Sequence, residues 1–339
     1  MGDFEEYLRQ GEPNKAEKAK VWKTAIGLQQ VDGLKPSDYL IATAKQNIEG
    51  DISIEEVKIR IDSYYEQHPI KEAGNRTEEA DKVSARIAEI LGEQTFTFSP
   101  IEYLTIHRRL FQGIYSHAGS IRDYNISKPE WVLNGETVLY AGALNSKATL
   151  EYDFEQEKQF NYRGLNLQGI IEHIAHFISN LWQIHIFGEG NTRTTAIFLI
   201  KYLRKLGFKE VNNDLFAEHS WYFRNALVRA NFEDLSKGVH KTDEYLIRFL
   251  SNLLLGTHYS LKNREMHILF HDTVKTKIDT VNDTVFNLIK QNSKITAAEI
   301  SERLNISLST AKRRIKELKE KGRIVRVGSD KTGHWKVCD

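Results

Sequence analysis

A single cysteine, Cys338, stands among 339 residues, so no disulfide framework can hold this chain and a cytoplasmic setting is the expected one. Prolines number five, few enough to suit a helix-rich fold. Apolar runs such as Ala196–Ile200 fall far short of the roughly 20 residues a membrane helix needs. The start is charged (Asp3, Glu5, Glu6) and carries no apolar signal segment, so no membrane partner is expected. Net charge is also lacking: at +1, the whole-chain field says little about partners. No long repeat or low-complexity tract stands out. Against these absences, 40% of the residues are hydrophobic, and the length predicts two or three domains with ample chain for a core.

The most informative stretch is His185–Ala196, His-Ile-Phe-Gly-Glu-Gly-Asn-Thr-Arg-Thr-Thr-Ala. An apolar helical pattern enters it over Leu165–Ile184, and a second leaves it over Asn191–Leu206. Gly188 and Gly190 lie in the turn between them, where glycine permits left-handed angles and close approach of a ligand. The N–H groups that open the second helix, together with its dipole, make an anion site. Around that site stand an imidazole (His185), a carboxylate (Glu189), an amide (Asn191) and a guanidinium (Arg193). Such a set can supply a base, a cation ligand, a phosphate donor and a charge clamp, the parts phosphate-transfer chemistry uses. The alternative is a glycine-rich helix–helix turn with polar surface residues.

The spacing resembles the Fic family signature, His-x-Phe-x-(Asp/Glu)-Gly-Asn-x-Arg-x-x-Arg, with His185, Phe187, Glu189, Gly190, Asn191 and Arg193 in place and Ala196 where the family has its second Arg. The resemblance implies a protein adenylyltransferase that moves AMP from ATP to a Tyr, Ser or Thr hydroxyl of a target protein, with Mg²⁺ accompanying ATP as co-substrate. It implies His185 as base and Glu189 as the Mg²⁺ ligand. Gly188, Gly190, Asn191, Thr192, Arg193 and Asn231 would line the ATP site, with Asn191 and Arg193 also acting in catalysis. Phe223 falls where the family usually has an aromatic. Arg163 and Arg224 are, by residue type, the candidates to replace the missing second Arg. Three outcomes follow from Ala196: a substitute cation, a looser ATP pose, or a different nucleotide or phosphate donor.

Upstream, Ser53 with Glu56 three residues later reads as a capping box opening a helix. The block Val21–Glu66 resembles the antitoxin-like module that accompanies Fic enzymes, which implies an inhibitory role for Glu49 ahead of Gly50; the alternative is a solvated carboxylate at a helix end. Residues 1–20 are polar, and structure is expected to begin near Val21. Gly119-Ser120-Ile121-Arg122 resembles the turn that precedes the family flap, with Arg122 structural. Residues 131–140 read as a β-hairpin turning at Asn134-Gly135. In the family this hairpin clamps the target segment as an added strand, which implies Val132, Leu133, Asn134, Gly135, Val138 and Leu139 as the target-binding flap. His173 and His176 read as ordinary helix histidines.

The last segment changes character, with 13 Lys and Arg against 7 Asp and Glu over 281–339. Two helices and a two-stranded wing over Arg323–Val337 resemble a winged helix-turn-helix, with Lys312, Arg313, Arg314 and Lys316 on the second helix as candidates for DNA contact. The alternative is a solvated helix in a protein-docking or dimerising module. The expected fold is mainly α, a Fic-type helical bundle with a β-hairpin flap. The expected domains are an N-terminal inhibitory module at 1–66, a Fic core at 67–257, a connector at 258–280 and a winged helix at 281–339. Self-modification and a homodimer stay open. So do two other readings: a DNA-binding regulator with a nucleotide-sensing Fic domain, and a Fic enzyme that uses another donor.

Overall fold

The computed structural model describes residues 4–10, 12–70, 72, 74–208, 211, 214–270, 285–286, 288–290, 292–304, 306–320, 322–328 and 333–338. The chain divides into two compact units, 1–267 and 268–339. Residues 271–280 of the expected connector and 281–284, at the start of the expected winged helix, lie outside the described residues.

The first unit is helical: α1 (Glu5–Gln10), α2 (Pro13–Gly27), α3 (Asp38–Glu49), α4 (Ile54–Gln67), α5 (Thr77–Gly92), α6 (Pro100–Phe111), α7 (Ala143–Gln159), α8 (Leu167–Ile184), α9 (Asn191–Lys205), α10 (Asp214–Ala230) and α11 (Glu244–Leu255). Local chemistry sets many of the ends. Ser37, Ser53, Ser99 and Asn166 each accept a backbone N–H of the first turn of α3, α4, α6 and α8. Gly50 closes α3 in the left-handed region, at φ 90°.

Helix α9 is the axis of this unit. Every residue from Asn191 to Leu203 is buried, as expected of a helix packed on all sides. It packs on α5, α6 and α8, while α2 packs on α5 and α10. Phe98, Phe154, Phe177, Phe198 and Tyr202 form one aromatic cluster between α7, α8 and α9. Full burial of one such phenylalanine contributes about 1.5–3 kcal/mol. The cluster fixes the distance between the two helices that carry the motif.

Three expectations change. Structure begins well before Val21: α2 starts at Pro13, and Phe4 and Tyr7 are buried. Helix α7 has no counterpart in the sequence reading. It buries only Ser146, Leu150, Phe154 and Glu157, a narrow stripe on a charged helix. The hairpin expected at 131–140 is not a strand pair. Trp131–Leu133 form a 3-10 turn, Asn134 (φ 55°) and Gly135 (φ 87°) turn in the left-handed region, and Gly135 N–H returns to the Glu130 carbonyl at 3.0 Å. Val132 and Leu133 are adjacent and both fully buried, which the two-residue alternation of a strand cannot provide.

The second unit holds α12 (Ala297–Arg303), α13 (Leu308–Glu320), β1 (Ile324–Val327) and β2 (His334–Val337). Thr296 and Glu299 form a reciprocal capping box on α12. Strands β1 and β2 are antiparallel, with Ile324 opposite Val337 and Val327 opposite His334. Val285, Ile289, Ile295, Ile300, Ala311, Ile315, Leu318 and Ile324 form the core. This is the expected pair of helices followed by a wing, and among the described residues it contains the only named strands.

Candidate active site and nucleic-acid interface

Helix α8 ends because His185 leaves it in the left-handed region, at φ 48° and ψ 53°. A non-glycine residue held there carries strain that its surroundings must offset. Arg122 supplies the compensation. Its buried guanidinium donates to the carbonyls of His185 (2.6 Å), Ile184 (3.1 Å), Tyr124 (2.5 Å) and Ala141. The orphan carbonyls of the helix end are thereby satisfied, and the 122–141 segment is tied to the motif. Arg122 is structural, as expected.

The loop is braced from inside. Asn191 Oδ1 accepts Phe187 N–H at 3.1 Å, and its Nδ2 donates to the Phe187 carbonyl at 2.8 Å. The Asn191 amide thus braces the loop with its oxygen and one of its two N–H donors. Phe187 stacks on His107 at 3.7 Å and 7°. His107 Nδ1 accepts Gly119 N–H at 2.8 Å, so Nε2 carries the proton that it donates to the Glu189 carbonyl at 3.0 Å. Burial is the main reason its pKa falls to about 3. His107 thus fixes the loop as a neutral imidazole.

Glycine is required at one place in this loop, Gly190. A Cβ on Gly190, at φ 76°, would meet the Phe111 ring at 2.4 Å, whereas one on Gly188 would meet the end of the exposed Tyr124 side chain at 2.6 Å, which can move aside. Gly190 also holds the N-cap position of α9 and offers no side-chain acceptor. The first-turn N–H groups of α9 are therefore uncapped by a side chain, as an anion site requires. Thr192 does not face that site freely, because its hydroxyl accepts Trp182 Nε1–H at 3.1 Å and ties α9 to α8.

His185 is 4% exposed, and its Nδ1 is buried without a hydrogen-bond partner. Its pKa lies well below the ordinary histidine value, first through burial and then through the charge of Lys128. Glu189 contrasts with it: its carboxylate is 52% exposed and pairs with Lys128 at 3.2 Å. A single carboxylate beside an anion site suits Mg²⁺, which prefers one or two carboxylates with phosphate oxygens and water. Among the described residues no cluster of three or more His, Cys, Asp or Glu is placed to hold a metal.

Arg193 is fully buried. Its guanidinium reaches Asp32 at 2.7 Å, Glu79 at 2.8 Å, Gln29 at 2.9 Å and the Tyr115 hydroxyl at 3.3 Å, and it lies 4.7 Å over the Phe111 ring. Burial opposes its charge, but Asp32, Tyr115 and Glu79 more than offset this and its pKa is raised. Glu49 is not among these partners. Glu49 sits at the exposed end of α3 and pairs with Lys15 at 2.7 Å. Nothing local in the sequence marks Glu79, Asp32 or Gln29, since they are paired through helix packing.

Other expected residues divide similarly. Asn231 is buried and its Nδ2 donates to the carbonyls of Ser179 (2.9 Å) and Leu227 (3.0 Å), so its amide joins α8 to α10. Phe223 packs against Phe216 and Phe249 in the core. Val138 is buried like Val132 and Leu133, while Leu139 is exposed. The Leu139 carbonyl accepts Gln183 Nε2–H at 2.9 Å, which lays this segment along the last turn of α8 beside His185. Arg224 is held bidentately by buried Glu130 at 2.6 and 2.9 Å, and Arg163 lies in an exposed loop. Neither fills the place left by Ala196.

In the second unit, Lys312, Arg313 and Lys316 are exposed on α13. Arg313 lies 3.9 Å from Glu317 and Lys316 3.7 Å from Glu320, whereas Arg314 is mostly buried beside Ile315 and Leu318 and pairs with Glu317 at 2.8 Å.

Residues 97–203 match the model of the Fic/DOC family, and residues 285–325 match the model of winged helix-turn-helix DNA-binding domains. No curated protein matches the chain. No helix among the described residues is long and apolar enough to cross a membrane.

Proposed function

The chain carries a Fic/DOC domain over 97–203 and a winged helix over 285–325, and from that premise we propose that it is a protein adenylyltransferase held in check by the contacts on Arg193. The observation that supports this most is the uncapped first turn of α9 with His185 and Glu189 on the same loop. In the reaction, the acceptor oxygen bonds to the α-phosphorus of ATP as the bond to the β-phosphate oxygen breaks. Pyrophosphate leaves with that electron pair, and the hydroxyl proton passes to the His185 imidazole. Held by Glu189 and phosphate oxygens, Mg²⁺ would supply charge neutralisation.

Inhibition, in this reading, does not run through Glu49. Arg193 is the motif's guanidinium, and the charge it would give a phosphate is already taken by Glu79 and Asp32. Gln29 and Asp32 lie in the 3-10 turn Leu28–Asp32, within the segment expected to inhibit. The N-terminal segment therefore keeps its hold on the motif through other side chains.

Incubating the chain with Mg²⁺ and ATP labelled at either the α- or the γ-phosphate tests the reading on a denaturing gel. The α-label is expected to stay covalently bound and the γ-label to be lost. Retention of the γ-label would instead make the chain a phosphate-transfer enzyme. No label in wild type or Glu79→Gln, with cell extract supplied as target, would overturn the enzyme reading.

For the winged helix we propose duplex DNA as partner, with Lys312, Arg313 and Lys316 on phosphates. Each alanine substitution should flatten the slope of log affinity against log salt by about 0.9. Arg314→Ala should change the slope less, because Glu317 already neutralises it. Slopes unchanged from wild type in all four variants would remove α13 from the interface.

A further inference from the structure

With Ala196 buried and Arg193 committed to Glu79 and Asp32, helix α9 offers no free cation to a bound triphosphate. Neighbouring guanidinium groups are spent as well. Arg122 is used on four carbonyls and Arg224 on Glu130. Lys128 is placed differently. Its ammonium lies 3.2 Å from the Glu189 carboxylate, and its side chain is 26% exposed, open to a ligand on the solvent side of the loop. Its backbone is pinned: Lys128 N–H donates to Thr137 Oγ1 at 3.0 Å, and two residues on, Glu130 is buried and bonded twice to Arg224. The head group is thus carried on a side chain that starts from a fixed backbone.

Two further observations mark the same loop as a place for a polar ligand. His185 Nδ1 and His117 Nε2 are both buried with no hydrogen-bond partner. The latter lies 3.2 Å from where a Cβ on Gly188 would stand. Buried polar atoms left unpaired are costly, and a ligand that supplies partners is one way such atoms are satisfied. The charge of Lys128 also reaches His185 and helps hold it neutral.

We propose that Lys128 binds a phosphate of the nucleotide donor beyond the α-phosphate, supplying from the 122–141 segment the cation that Ala196 cannot. This rests on the nucleotide-donor reading above. An ammonium on a flexible stem carries three donors, so it can bridge the Glu189 carboxylate and a phosphate oxygen together. The lysine would then report donor binding to the segment that flanks the acceptor.

The test is calorimetric titration of ATP and AMP into wild type, Lys128→Ala and Lys128→Arg, repeated in the Glu79→Gln background so that the contacts on Arg193 cannot mask binding. Lys128→Ala is expected to weaken ATP by about 10- to 100-fold, as loss of a charged hydrogen bond does, and to leave AMP unchanged. Lys128→Arg should restore most of the difference. An unchanged ratio of ATP to AMP affinity in Lys128→Ala would overturn the proposal while leaving the donor reading standing. Failure of wild type and of Glu79→Gln to bind either nucleotide would overturn both.

Discussion

Glu79→Gln should speed transfer of α-labelled AMP by about 5- to 150-fold, the range that a coupling energy of 1–3 kcal/mol produces. The argument begins from the burial of Arg193. A guanidinium with no exposed surface cannot meet a phosphate unless a present partner gives way, and the closest partners are Asp32 and Glu79. Burial works to raise the pKa of Glu79, but Arg76, Arg193 and Tyr115 hold it below the usual carboxylate range. Its charge, and with it the grip on Arg193, is therefore complete at neutral pH. That contribution is present above the unfolded value of about 4.3 and is lost as pH falls through the lowered one. Glutamine keeps an oxygen for Arg193 and removes the charge. Alanine would leave a buried cation poorly paired, at a cost of about 3–5 kcal/mol in stability. Asp32→Asn should act in the same direction, and the double variant should exceed either one without being their simple product, because the two share one nitrogen. Glu49→Gly should leave the rate unchanged. If Glu79→Gln and Asp32→Asn leave both the rate and the ATP affinity at wild-type values, the carboxylates merely hold Arg193 in place.

The contrast between Glu49 and Glu79 shows what a sequence can disclose here. Turn chemistry is local and was legible: Ser53 accepts the Glu56 N–H as a helix cap, although the Glu56 carboxylate turns to Arg60 and leaves the expected box half made, and Gly50 ends α3. The motif loop was legible in part for the same reason, since Asn191 and Phe187 bond to each other four residues apart. Partners of Arg193 were not, because Asp32 and Glu79 lie more than a hundred residues away and reach it only once α5 packs on α9. Glu49 fits a family spacing, yet the packed helices point its carboxylate at Lys15. The segment 131–140 failed differently. Asn134 and Gly135 adopt the positive φ that a hairpin turn needs, but two adjacent apolar residues before them, Val132 and Leu133, both turn inward and wind the chain into a 3-10 turn. A strong turn signal fixes the turn and leaves the flanks to burial. Helix α7 was missed because four buried positions on an otherwise charged stretch give little amphipathic contrast.

His185→Ala should lower AMP transfer by about a hundred- to ten-thousand-fold, the usual worth of a positioned general base. Loss of fold is not the expected cause, since the ring makes no side-chain hydrogen bond at Nδ1 and Arg122 grips only its backbone carbonyl. The pH profile separates the two explanations. Burial first, and the Lys128 charge second, keep His185 neutral well below the ordinary histidine range. The base form is therefore fully populated at neutral pH, and the rate should hold steady through about pH 6.5, where a free imidazole would already be protonating. It should fall only as pH drops through the lowered pKa. Stability carries the same sign: a histidine held neutral by the fold contributes above its unfolded pKa of about 6.5 and withdraws that contribution as pH falls, so His185→Ala should unfold less readily in acid than wild type does. A bound triphosphate adds negative charge near the ring and should move the midpoint in saturated enzyme upward from its value in the free chain. A rate that instead falls through pH 6.5 with wild-type shape in His185→Ala would mean that another group takes the proton.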